Sequence, residues 1–187
     1  MYQLPSPRMK ATYRFFADSG ASAVIGHHTH CYSGYEVYNG VPIFYSLGNF
    51  IFDKPRQSNS IWNDGFAVEF IVGNKLNYNL IPYKQCTEKP GLVLMNNQEK
   101  KMFDAKFAKL SQIINDDDLL EKEFDSYCNN VYKMYASYLE PHSNRLLHIL
   151  RNRKLIPAFL SKRKKLLFKN LIRCEAHRDV ILKVLSK

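Results

Sequence analysis

The hydrophobic period of this chain changes once, near Asn96, and that change limits the fold more than any other feature. Before it, short apolar runs are separated by turn signals. After it, Phe103, Phe107, Leu110 and Ile114 recur on one helical face, and Leu120, Phe124, Tyr127, Val131, Tyr135 and Tyr138 on another. The expected class is therefore α/β, followed by an all-helical extension. The division is expected near residue 90, with residues 1–90 as one part and 91–187 as the other.

Within the first part, Ser6-Pro7 has the chemistry of a helix start, with Ser as N-cap and Pro at the first helical position. Gly20 should end that helix. Ala21 to Ile25 is short, apolar and partly β-branched, which predicts a buried strand in α/β style. Tyr35–Tyr38 and Val41–Leu47 flank Asn39-Gly40, a dipeptide suited to a type I′ turn, so they predict a hairpin. Leu47-Gly48-Asn49 breaks the pattern. A second hairpin is expected from 66–72 and 76–81 around Gly73-Asn74-Lys75. In the helical part, Asp118 with Glu121 has capping spacing, and Pro157 is placed to open the last helix.

An apolar content of 45 % and an aromatic content of 13 % suit a packed protein rather than a disordered one. The formal net charge is +10, but it is unevenly placed. Lys and Arg number 14 against 15 Asp and Glu in residues 1–140, and 13 against 2 in residues 141–187. The whole excess lies in the tail, basic from about residue 141. Four cysteines form no CxxC pair, which argues against a zinc ribbon or a dense disulfide framework. No apolar run is long enough to span a bilayer, and the first 20 residues lack a signal peptide's apolar core. The expected location is cytoplasmic or membrane-associated.

The least ordinary residues are Gly26-His27-His28-Thr29-His30, a loop following the buried strand. Neutral imidazole is the commonest metal ligand, and His28 and His30 flank one residue, so their rings can converge from a tight turn. A His-rich surface loop, or a core His with satisfied hydrogen bonds, is the other reading of the same spacing.

Ala23-Val24-Ile25-Gly26-His27-His28-Thr29-His30, followed by Tyr35 to Asp53 with its Tyr45-Ser46-Leu47-Gly48-Asn49-Phe50 run, resembles the C-terminal signature of the CapA/PgsA family. The likeness extends over roughly residues 2–84. That family is associated with capsule and poly-γ-glutamate synthesis and is related to calcineurin-like metallophosphoesterases. The resemblance implies the C-terminal part of a metallophosphatase-like αββα sandwich. It also implies a phosphorylated or polyanionic substrate and divalent transition metal ions (Mn, Fe or Zn) in a dinuclear site. Its Gly-His-x-His motif makes His28 and His30 the metal ligands, with His27 in the Gly position as a reserve ligand or a contact to substrate phosphate. Asn49 could present its amide near the site, or serve only as a turn residue.

The family's Asp-x-His, Gly-Asp and Asn-His motifs do not occur here, so the chain has the character of a C-terminal fragment, inactive alone and needing the missing N-terminal part of its domain. A dinuclear hydrolase uses its metals to polarise phosphate and to generate a nucleophile from bound water, which one His loop cannot do by itself. The alternative function is a non-catalytic module whose Lys162-Arg163-Lys164-Lys165 tail engages anionic polymer or an anionic membrane surface. Nucleic acid is the least favoured partner, because aromatic residues are not interleaved with the basic ones.

Overall fold

Ser6 caps α1 (Pro7–Asp18) through a hydrogen bond from the Met9 amide to its hydroxyl, 3.1 Å long, with Pro7 at the first position. Two residues beyond α1, Gly20 takes φ +99°, a left-handed conformation glycine adopts without penalty. The computed structural model describes residues 2–27, 29–52, 61–86, 89–138, 145–156 and 160–173. They fall into two compact units, Met1–Tyr127 and Cys128–Lys187.

The first unit is mixed α/β with two three-stranded sheets. The run expected as a strand over 21–25 contributes only β1 (Val24–Ile25), which pairs parallel with β3 (Val41–Phe44). β2 (Tyr35–Tyr38) pairs antiparallel with β3, giving the order β1-β3-β2. Asn39 and Gly40, at φ +49° and +82°, make the type I′ connection that their sequence predicts. The ladder continues past the named strands, with Ser33 N–H donating to Ser46 O at 2.9 Å and Tyr32 bridging Leu47. At Gly48 the chain breaks away with φ +86°, packed so tightly that an added Cβ would lie 2.7 Å from Asp64 O.

The second sheet is the antiparallel β4 (Asp64–Ile71), β5 (Asn77–Gln85) and β6 (Leu92–Leu94), in that order. The hairpin is longer than its apolar residues suggest, because Asp64 pairs with Lys84 and Gly65 with Tyr83 through backbone that side-chain patterning does not report. Sequence reading also misses β6, a three-residue strand. The sheets are joined where Phe66 N–H donates to Leu47 O at 3.0 Å.

The core lies where the sheets meet α2 (Asn97–Asn115). Ile43, Phe44, Tyr45 and Phe66 are fully buried. The Phe44 ring meets Phe66, Phe70 and Tyr78 at 6.1, 6.3 and 5.2 Å, all roughly edge to face, a favoured aromatic geometry. α2 seats Phe107 on Tyr35, stacked at 5.4 Å, and both Phe103 and Phe107 against Phe66. Asn96 and Glu99 form a full capping box at its start. α3 (Asp117–Tyr138) is capped by Asp116, whose carboxylate accepts from the Leu119 amide at 2.9 Å, and not by the Asp118 expected from spacing. The helix begins two residues earlier than the Asp118–Glu121 pattern implies.

A buried charge network ties α1 to the rest of this unit. Arg14 donates twice to Glu36, at 3.0 and 2.7 Å, and Tyr45 donates its hydroxyl to the same carboxylate at 2.5 Å. Lys10, 2 % exposed, donates to Asp117 at 2.6 Å and to the Ile114 carbonyl near the C-terminus of α2. That carbonyl end carries partial negative charge, so an ammonium is well matched to it.

In the second unit, beyond the end of α3, come α4 (Arg145–Asn152) and α5 (Lys162–Arg173). α5 starts behind Ser161, whose hydroxyl accepts from the Lys164 amide at 3.3 Å. Pro157, expected to open this helix, lies outside the described residues. Among the described residues no helix is long and apolar enough to cross a membrane.

Candidate functional site

Residues after the carboxyl end of a parallel strand are where open α/β sheets most often bind ligands. The His loop occupies that place, directly after β1. Gly26 turns it: its N–H donates to Phe44 O at 2.7 Å, and its α-carbon faces the Tyr45 carbonyl and the Tyr13 ring with no room for a side chain. His27 then emerges exposed. His28, the first ligand that the family resemblance implies, lies outside the described residues. Thr29 fixes the turn, its hydroxyl 2.9 Å from Cys31 O and 2.8 Å from Ser46 Oγ.

His30 is exposed and has φ +60°, left-handed for a residue with a side chain. Such backbone is uncommon, and where it persists it is often held at a functional site. Its ring stacks on Trp62 at 5.1 Å and 21°, and meets Phe52 edge-on at 5.8 Å. Its Nδ1 lies 2.9 Å from Asn49 Oδ1. Asn49 is 5 % exposed, and its Nδ2 donates to the carbonyls of His30 and Trp62 at 3.1 and 3.0 Å. Asn49 thus contacts His30 from within the fold.

Beneath these residues lies a buried amide network. Gln85 donates through Nε2 to Trp62 O at 3.3 Å and accepts at Oε1 from the Phe52 amide at 3.0 Å. Asn63 donates to the carbonyls of Gln85 and Cys86 at 2.8 and 3.0 Å. Tyr83 closes it by donating its hydroxyl to Asn49 O at 3.2 Å. The network fixes both Trp62 and the 49–52 segment against which His30 rests. Phe52 lies within the Tyr35–Asp53 run without any mark of this role, and Trp62, Asn63 and Gln85 come from segments whose individual patterns are ordinary.

Cys31 is beside the loop but is fully buried, and burial pushes its thiol up, so it keeps its proton and donates to Tyr2 O at 3.3 Å. It is a structural thiol rather than a thiolate ligand. Among the described residues no group of three or more His, Cys, Asp or Glu could hold a metal by itself. His27 and His30, both exposed, are the two described imidazoles of the loop.

Residues 2–54 match the model of the bacterial capsule synthesis protein PGA_cap family. The chain is 50 % identical over 50 residues to the PGA biosynthesis protein CapA of Bacillus subtilis, a match covering 27 % of this chain and 13 % of that protein. It is 48 % identical over 50 residues to the capsule biosynthesis protein CapA of Bacillus anthracis, covering 27 % and 12 %. The matched region runs from α1 through the His loop to Asn49 and just beyond, while the supporting Trp62, Asn63, Tyr83 and Gln85 lie outside it.

Proposed function

We propose, from the match of residues 2–54 to the bacterial capsule synthesis protein model, that this chain is the C-terminal part of a metal-dependent phosphoesterase-like domain of the αββα type, acting in capsule or poly-γ-glutamate-type polymer synthesis. The observation that carries this reading is the His loop itself. It follows a parallel strand, turns on a glycine that admits no side chain, and presents exposed His27 and His30, the latter in a left-handed conformation.

In this reading His28 and His30 are metal ligands, and His27 contacts the substrate phosphate or serves as a reserve ligand. Bound divalent ions (Mn, Fe or Zn) would supply Lewis acidity at the phosphoryl oxygen and a nucleophile at neutral pH. Trp62 and Phe52 wall one side of the His30 ring and limit its orientations. The remaining ligands come from a further polypeptide segment docked beside β1, which among the described residues pairs on one side only. The test is metal content by mass spectrometry in the protein with that segment present. Wild type should retain metal and His28→Ala/His30→Ala should lose it; equal contents would refute the assignment.

A second reading concerns the tail. On α5, Leu166, Leu167 and Ile172 are 60, 54 and 53 % exposed beside Lys162, Arg163, Lys164 and Lys165, and no described residue of the helix is buried. Exposed apolar and basic groups on one short helix suit an anionic membrane surface or polymer. A chain ending at Glu140 should then lose binding to anionic liposomes while keeping whatever metal binding the His loop confers.

A further inference from the structure

The contact between Asn49 and His30 assigns a task to a residue that the sequence marks only as a candidate for presenting its amide near the site. Asn49 Nδ2 faces two backbone carbonyls, those of His30 and Trp62. Carbonyls only accept, so the amide orientation is fixed with nitrogen toward them. Oδ1 then faces His30 Nδ1 at 2.9 Å, and an oxygen acceptor there requires a proton on Nδ1. A neutral imidazole carries one N–H, so its lone pair resides on Nε2.

We propose that Asn49 is a positioning residue that holds His30 as the Nδ1–H tautomer, so that Nε2 is the atom His30 offers to a divalent transition metal. The inference rests on the metal-site reading above and adds the atom and the residue that selects it. Metal-bound histidines typically donate their other ring N–H to such an acceptor, which fixes tautomer and orientation together. Trp62 sets the ring plane by stacking, and its carbonyl, shared by Asn49 and Gln85, ties the ring support and the tautomer support into one unit. Asn49 therefore acts through His30; at 5 % exposure its own amide is not presented to a ligand in solution.

Long-range proton–nitrogen NMR on the full 187-residue chain with labelled histidine tests this, His30 being assigned by difference from His30→Gln. At a pH where imidazoles are neutral, the metal-free wild type should show His30 protonated on Nδ1. Asn49→Ala should move it toward the Nε2–H form and weaken Zn2+ binding roughly 10–100-fold. A wild-type His30 protonated on Nε2 overturns the proposal without any variant having to fold. A folded Asn49→Ala with an unchanged tautomer overturns it as well. In the protein with the further segment present, Zn2+ that leaves the wild-type Nε2 resonance unmoved, with the tautomer as expected, refutes instead the ligand role of His30 on which the proposal rests.

Discussion

At Gly26 one methyl group decides whether the His loop can form. An added Cβ would collide with the Tyr45 carbonyl and approach the Tyr13 ring to 2.7 Å, and the carbonyl belongs to a strand extension that cannot shift alone. Gly26→Ala should cost about 1–3 kcal/mol by overpacking, measured by urea unfolding. Two carboxyls set opposite pH responses. Lys10 donates to Asp117 and holds its carboxyl below the usual value. Its contribution is therefore present above the ordinary Asp value of about 3.9 and lost as pH falls through the lower folded value. Because the Asp117 side chain is 72 % exposed, Asp117→Asn should flatten that acid limb only modestly. Burial pushes Asp64 up, with Lys84 and Lys106 partly offsetting it, and its buried Oδ1 has no hydrogen bond among the described residues. Above the ordinary Asp value this group loses stability as pH rises, so Asp64→Asn should raise the urea midpoint more at pH 7 than at pH 4. Of the candidate site, the sequence alone shows the histidines and Asn49, since they stand close together in matched motifs. It does not show Trp62 or Gln85, whose role depends on β4 and β5 folding back beneath the loop.

Helix and strand boundaries follow the sequence wherever a local chemical signal sets them. The Ser6 cap, the Asn39-Gly40 turn and the apolar face of α2 are all local, and all form as their residues dictate. Where pairing is made by backbone alone, as in the ends of β4 and β5, side-chain pattern carries no signal, and the apolar run of β6 is too short at three residues to be told from a loop. The start of α3 is a case of two acidic residues with nearly equal claims. Asp116→Ala should destabilise the first unit by about 1 kcal/mol, the usual cost of losing an N-cap, whereas Asp118→Ala should change it much less. Chemical denaturation of the two variants side by side separates these assignments.

For the molecule as a whole, β1 pairs on one side only among the described residues, and apolar groups stand exposed beside it. Phe15, Phe16 and Ile25 are 63, 46 and 46 % exposed on α1 and β1. Unpaired edges with apolar flanks invite association. The chain alone should sediment as concentration-dependent oligomers, and Ile25→Lys should raise the monomer fraction several-fold in sedimentation velocity. The buried ammonium of Lys10 has a consequence in time as well as in space. Its partners Ile114 and Asp117 lie 104 and 107 residues later in the chain. At about 5–20 residues per second, a ribosome delivers them roughly 5–20 s after Lys10 is made. For that interval Glu36, 3.9 Å from the ammonium in the finished fold, is the counter-charge within reach, and the two hydrogen bonds that complete the burial of Lys10 form last.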